Sequence, residues 1–235
     1  MKPPLVLIPG MLSNGLVWTH QVKNLSAGAS IQVIEAVQDT PEKMVAQILK
    51  RAPPYFAVAG HSMGGWLCLE LMKQAPSRIV KLALINTTAR PDSDEKRSRR
   101  RRLIDRTLAG EFDAIVEELA ALFVFDDKVR HEVVSMFQEV GPEAFVNQQR
   151  AMLARGDTFF ALPHIHVPAL VIHAALDENF SLEEHQELSE TIPGAKLAVV
   201  EGSGHMSPME RPEVITGLIR EWLASPSNSL KSLSL

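Results

Sequence analysis

The chain of 235 residues contains one cysteine, Cys68, so no internal disulfide is possible and nothing in the sequence asks for an oxidising compartment. A cytoplasmic address is the default expectation. Long apolar runs are missing too: no stretch approaches the ~20 apolar residues of a membrane-spanning helix. The opening run Leu5 to Ile8 is closed by Pro9-Gly10 and is too brief for the apolar region of a signal peptide. Nor does charge of one sign dominate. With 28 acidic and 24 basic residues the formal charge is -4, which gives no global reason to expect nucleic acid or another polyanion as partner. There is no internal repeat. What is present is apolar material, 46% of the chain, enough for one large core and a single elaborated domain.

Short Val, Ile and Leu runs recur at Leu5 to Ile8, Ile31 to Ile34, Phe56 to Ala59, Leu82 to Ile85, Ala169 to Ile172 and Leu197 to Val200. They read as buried parallel strands. Helical spacing lies between them, as in Pro41 to Arg51 after the capping pair Asp39-Thr40, and in Gly65 to Gln74 before Pro76. Such alternation predicts an α/β fold with a doubly wound, mostly parallel sheet of about six strands. From Thr87 to Pro163 the rhythm changes to helical periodicity without strands. The expectation is a core domain made of residues 1–86 and 164–224, an inserted helical lid over 87–163, and a Ser-rich disordered tail over 225–235. Within the insertion, helices are expected over Asp94 to Ala109, Phe112 to Phe123, Asp127 to Val140 and Glu143 to Ala154.

Gly60-His61-Ser62-Met63-Gly64 follows one predicted strand and opens a predicted helix, the context a nucleophile elbow requires. A serine on so sharp a turn occupies a strained backbone conformation, and the flanking glycines are needed because a side chain would collide with the turning chain. A serine hydroxyl is a weak nucleophile without a base in hydrogen-bond reach and a third group holding that base. Two loops at the carboxyl ends of later strands offer them: Asp177 after the strand ending at His173, and His205 in Gly202-Ser203-Gly204-His205. Glu178 and Glu201 are the other carboxylates near enough in sequence to serve as the acid, and Asp177 has the better loop offset.

The set resembles the α/β-hydrolase superfamily, especially its small lid-bearing esterases and lactonases, over nearly the whole chain to about Leu223. Besides the elbow, the matching residues are Leu5 to Gly10 with Trp18 downstream, Leu170-Val171-Ile172 with Asp177, and Gly204-His205 followed by Glu210 and Pro212. The resemblance implies an oxyanion hole built from the backbone amides of Met11 and Met63. It also marks departures. Many members begin with an antiparallel hairpin, whereas this chain starts almost at the first parallel strand, so the sheet is expected to be short by two. After the second strand only Glu35 to Asp39 precede the next helix, where many members carry a longer Gly-rich loop that walls the pocket. Pro9 stands where a histidine is common.

The remaining candidates read as structural. His164 and His166 lack companion carboxylates or thiolates for a metal, and Cys68 on the elbow helix reads as a small buried apolar residue. The run Lys96-Arg97-Ser98-Arg99-Arg100-Arg101-Arg102 follows Asp94 and Glu95, the charge order of a solvated surface helix rather than of a binding patch. The expected function is hydrolysis of a small, uncharged or weakly charged carboxylic ester, lactone or thioester through an acyl-enzyme on Ser62, with a small acyl compound as partner and no metal or organic cofactor implied. Carbon-carbon bond hydrolysis, cofactor-free dioxygenation and ligand reception with little turnover are alternatives on the same fold.

Overall fold

Alternation along each strand builds two cores at once. In a strand successive side chains leave on opposite faces, and here Leu5 and Leu7 join one buried cluster while Val6 and Ile8 join another. The same split separates Ala57 and Ala59 from Phe56 and Val58, and Leu170 and Ile172 from Ala169 and Val171. A sheet that is apolar on both faces must be covered on both, which is why its strands read as continuous apolar runs. The computed structural model of the chain describes residues 3–28 and 30–226. Most of the expected tail, 227–235, lies outside the described residues.

Six strands form one parallel sheet: β1 (Leu5–Ile8), β2 (Ile31–Val33), β3 (Phe56–His61), β4 (Ile79–Ile85), β5 (Ala169–Ala174) and β6 (Lys196–Val200), in the order β2-β1-β3-β4-β5-β6. The order reverses direction after β2, so the crevice above β1 and β3 is the place where such sheets bind ligands. Helices α1 (Thr19–Leu25) and α9 (Pro212–Ala224) contribute Leu25, Ile215 and Trp222 to one core; α2 (Pro41–Arg51), α3 (Met63–Gln74) and α7 (Leu182–Thr191) cover the other face with residues such as Met44, Trp66 and Leu188. Thr40 caps α2 as expected, its hydroxyl accepting from the Lys43 amide with Pro41 at the first helical position.

Between β4 and β5 lie α4 (Asp94–Leu108), α5 (Phe112–Phe123) and α6 (Arg130–Ala154). Two helices are expected where α6 runs, and the chain does bend there: Gly141 adopts φ 82° directly before Pro142, so the two halves are joined by a kink rather than a loop. Ile115, Leu119, Phe137 and Phe145 from these helices are buried in the same cluster as Leu5 and Leu7. The segment is thus part of the core and not an appendage. A short helix, α8 (Ser207–Glu210), leads into α9.

Candidate active site

The turn from β3 to α3 carries Ser62 at φ 55° and ψ -117°, a left-handed conformation that costs a non-glycine residue on the order of 1–3 kcal/mol. The flanking glycines are obligatory for steric reasons. A β-carbon on Gly60 would lie 2.1 Å from the Gly64 carbonyl oxygen, and one on Gly64 would lie 2.2 Å from the Ile8 carbonyl oxygen. The turn is therefore wedged against β1.

His205, on the loop between β6 and α8, places Nε2 2.9 Å from Ser62 Oγ and Nδ1 2.8 Å from Asp177 Oδ2. Asp177 itself is buried, and its other oxygen accepts from the Asn179 amide at 2.8 Å. Burial pushes the Asp177 carboxyl upward, but the nearby His205 and the Asn179 donors outweigh it, and its pKa lies below the ordinary carboxylate value. Ionised Asp177 holds the Nδ1 proton, which leaves Nε2 with a lone pair toward the serine. Glu178 and Glu201 are exposed and take no part in this chain of hydrogen bonds.

Two backbone amides beside Ser62 are unspent. Neither the Met11 nor the Met63 N–H has a hydrogen-bond partner among the described residues; Met63 opens α3, where the first amides have none within the helix. Gly10 explains how Met11 comes so near: a β-carbon there would sit 3.2 Å from Ser62 Cβ.

A narrow cavity of about 100 Å³ opens over Ser62 and His205, its apolar wall formed by Met11, Leu103, Leu119, Phe123 and Phe180. The ring of Phe123, from the end of α5, lies 4.9 Å from that of His205. The helical segment therefore walls the site. Where the family resemblance implied a missing wall after β2, α6 contributes Gln149 to the cavity, and its neighbour Gln148 accepts from the Leu12 amide at 3.0 Å and donates to the Ala36 carbonyl at 3.1 Å.

The basic run does not form one solvated face. Lys96, Arg99 and Arg100 line the cavity, with Leu103 one turn further on, because residues spaced by three and four share a side of α4. Arg97 instead donates to the Leu153 carbonyl, while Arg101 and Arg102 are exposed. Lys96, Arg99, Arg101 and Arg102 are exposed, as a solvated helix would have them, and the expectation is corrected at Arg97 and Arg100, which are half-buried and bonded within the fold.

Three supporting residues carry weaker sequence signals. Asn86, wholly buried at the end of β4, donates to the His205 carbonyl at 2.8 Å and accepts from the Ala174 amide at 3.0 Å, locking the ends of β4 and β5 to the histidine loop. His61 Nε2 lies 2.8 Å from the same carbonyl, and only a protonated nitrogen can donate there. Burial pushes the His61 pKa down to about 3, so the ring is neutral. Glu210 accepts from Ser203 Oγ at 2.9 Å and from the Gly204 amide. A polar residue closing an apolar strand, as Asn86 does, is the one cue the sequence offered for that position.

His164 and His166 are exposed, and among the described residues no group of three His, Cys, Asp or Glu side chains could hold a metal. Cys68 is buried, and burial pushes its thiol pKa up, away from any nucleophilic role. No helix among the described residues is long and apolar enough to cross a membrane.

Comparison with known proteins agrees with this architecture. The profile described as the alpha/beta hydrolase family matches residues 5–217. A pimeloyl-acyl-carrier-protein methyl ester esterase of Vibrio vulnificus (strain CMCP6) is 24% identical over 230 residues, covering 90% of each chain. Among solved structures, a thermophilic esterase from Thermogutta terrifontis, with malate bound, is 27% identical with a TM-score of 0.87 over 94% of this chain and 89% of its own. The enol-lactonase from Burkholderia xenovorans LB400 shares the fold at 23% identity and a TM-score of 0.80, covering 96% and 93%. With the profile spanning all six strands, the chain belongs to the alpha/beta hydrolase family.

Proposed function

We propose that the protein is a serine ester hydrolase that forms an acyl-enzyme on Ser62, with His205 as general base and Asp177 as the carboxylate that orients it. The observation that carries this reading is the continuous chain Asp177 Oδ2, His205 Nδ1, His205 Nε2, Ser62 Oγ at 2.8 and 2.9 Å, ending on a strained turn at the floor of a cavity. Esterase names among relatives that cover nine-tenths of the chain support the same class.

Ser62 Oγ attacks the ester carbonyl while His205 Nε2 takes its proton; the carbonyl oxygen, now negative, accepts from the Met11 and Met63 amides. Collapse of the tetrahedral adduct breaks the ester C–O bond, and His205 returns the proton to the departing alkoxide. Water then repeats the sequence: His205 deprotonates it, the acyl group leaves Ser62 as a carboxylic acid, and the serine recovers its proton. Each backbone donor is worth on the order of 10²–10³ in kcat in such sites. Residues 87–163 act as a lid that excludes water, with Phe123 and Leu119 against the acyl group. A cavity of about 100 Å³ suits a short acyl chain.

The reading is tested with short p-nitrophenyl esters and lactones together with a fluorophosphonate probe. Sustained turnover and labelling, both abolished in Ser62→Ala, are expected. Labelling with no more than stoichiometric product release would favour a receptor-like protein instead.

A further inference from the structure

The cavity wall is not uniform. Around Ser62 it is apolar, but its α4 side presents three cations, Lys96, Arg99 and Arg100, against one carboxylate, Asp92. That carboxylate is already doubly engaged, by Arg100 at 2.5 Å and by buried Arg155 at 2.6 Å. Although burial pushes Asp92 upward, the two guanidinium groups prevail and its pKa lies below the ordinary value, so it is ionised and cannot serve a further cation. Arg155 is driven down by burial to about 10 and is still charged at neutral pH. The cluster behind the wall therefore carries surplus positive charge.

Lys96 and Arg99 have no ion-pair partner among the described residues. Acidic neighbours are near: Asp94 and Glu95 sit on α4 itself, and Glu118 of α5 faces Arg99. Glu118, however, is held by both nitrogens of Arg106. Lys96 Nζ stands 5.3 Å from the centroid of the Phe180 ring, whose centroid is 5.8 Å from that of His205. A cation is thus held one aromatic ring away from the base. Arg97, Arg100 and Arg106 of α4 are bonded within the fold, and of the basic residues of the helix that are not, Lys96 and Arg99 are the two that line the cavity.

We infer that the substrate carries a carboxylate of its own, seated against Lys96 and Arg99 at the mouth of the cavity while its ester carbonyl lies at Ser62. This rests on the ester-hydrolase reading and narrows it to short monoesters of dicarboxylic acids: an apolar spacer against Leu103, Leu119 and Phe123, a reacting ester at one end and an anion at the other. An arginine fork and an ammonium both offer a carboxylate charge-assisted hydrogen bonds, about twice as strong as neutral ones.

The test compares mono-p-nitrophenyl glutarate with its methyl ester, which has the same acyl chain without the charge. The wild-type protein is expected to favour the anionic compound roughly tenfold in kcat/KM, chiefly through KM, and to lose most of that preference as ionic strength rises from about 0.02 to 0.5 M. The double variant Lys96→Gln/Arg99→Gln should bring the ratio of the two kcat/KM values close to one, whereas Arg101→Gln/Arg102→Gln, equally exposed but outside the cavity wall, should leave it as in wild type. Calorimetric binding of glutarate provides a readout that needs no turnover. If neither ester is cleaved but glutarate binds wild type and not the Lys96→Gln/Arg99→Gln variant, the hydrolase reading fails and the anion site stands. Equal turnover of both esters, or a preference that survives in that variant, overturns the site.

Discussion

The Glu210 carboxylate accepts a hydrogen bond from the Phe125 backbone amide at 2.7 Å, joining the segment after α5 to the loop that carries His205. Its other oxygen holds Ser203 and Gly204, the two residues directly before the histidine. One buried side chain thus couples the helical wall of the cavity to the loop that carries His205. The close approach is visible at Gly204 as well, where a β-carbon would lie 2.9 Å from Phe125 Cβ.

Glu210→Gln keeps the size of the side chain but gives it only one acceptor atom. The amide NH₂ must face either the Gly204 and Ser203 donors or the Phe125 amide, leaving a buried donor opposed to another. The expected cost is about 1–3 kcal/mol of stability. Because the lost bonds adjoin His205, kcat should fall roughly tenfold with KM less affected. Urea unfolding and steady-state kinetics read the two effects. A large rise in KM with kcat unchanged would mean that Glu210 shapes the cavity rather than the base.

Ser62 invites two substitutions with different consequences for stability. Ser62→Ala should lower kcat by roughly 10⁴–10⁶ while leaving stability near that of wild type, since alanine inherits the strained φ of 55°. Ser62→Gly should be equally inactive but more stable, because glycine adopts positive φ without the steric cost, offset in part by its larger unfolded-state entropy. A net gain of about 1 kcal/mol is expected. Thermal denaturation of both variants checks this, and a glycine variant less stable than the alanine one would remove backbone strain from the account of the turn.

Asp177→Asn tests the orienting carboxylate. The amide can still reach His205, but it can donate to Nδ1 and so favour the tautomer that points a proton at Ser62. Activity should fall on the order of 10⁴. Glu178→Gln and Glu201→Gln, both exposed, should change it less than about threefold. Should Glu201→Gln prove the damaging change, the acid has been assigned to the wrong loop.

The sheet and the three residues Ser62, Asp177 and His205 were legible in the sequence because each is written locally. Strands with both faces buried are apolar throughout, and Gly60 answers a contact with Gly64 only four residues away, although Gly64 answers one with Ile8 of β1. The wall of the cavity was not legible. Which side of α4 faces Ser62 depends on how the helix docks on α6, where Arg100 meets Gln149 at 2.8 Å. A run of six basic residues in seven hides the periodicity that ordinarily reports an inner face. Asn86 reaches His205 and Glu210 reaches Phe125 across more than 80 residues of chain, so those partners could not be found from spacing.

The buried histidines make the fold sensitive to acid. Burial pushes His61 down to about 3 and His185 down to about 4, whereas an unfolded histidine titrates near 6.5. Above pH 6.5 both rings are neutral whether the chain is folded or not, and their contribution to stability is whole. As pH falls below that, the unfolded chain takes up protons that the folded chain refuses, so stability is lost progressively until the folded values near 4 and 3 are reached. The slope is about 1.4 kcal/mol per pH unit for each histidine, or roughly 2–3 kcal/mol apiece by pH 4.5, a large share of an ordinary 5–15 kcal/mol. His173, also lowered by burial and packed 4.6 Å from His185 between ring centroids, adds in the same direction. Urea midpoints measured from pH 7.5 to 4.5 should fall accordingly. His185→Gln retains an acceptor for the Thr87 amide that His185 Nε2 now binds at 3.2 Å. That variant should be less stable than wild type at pH 7 yet decline more gently, by about one proton's worth of slope. An unchanged slope would show that His185 takes up its proton alike in the folded and unfolded chains and is not a source of the acid lability.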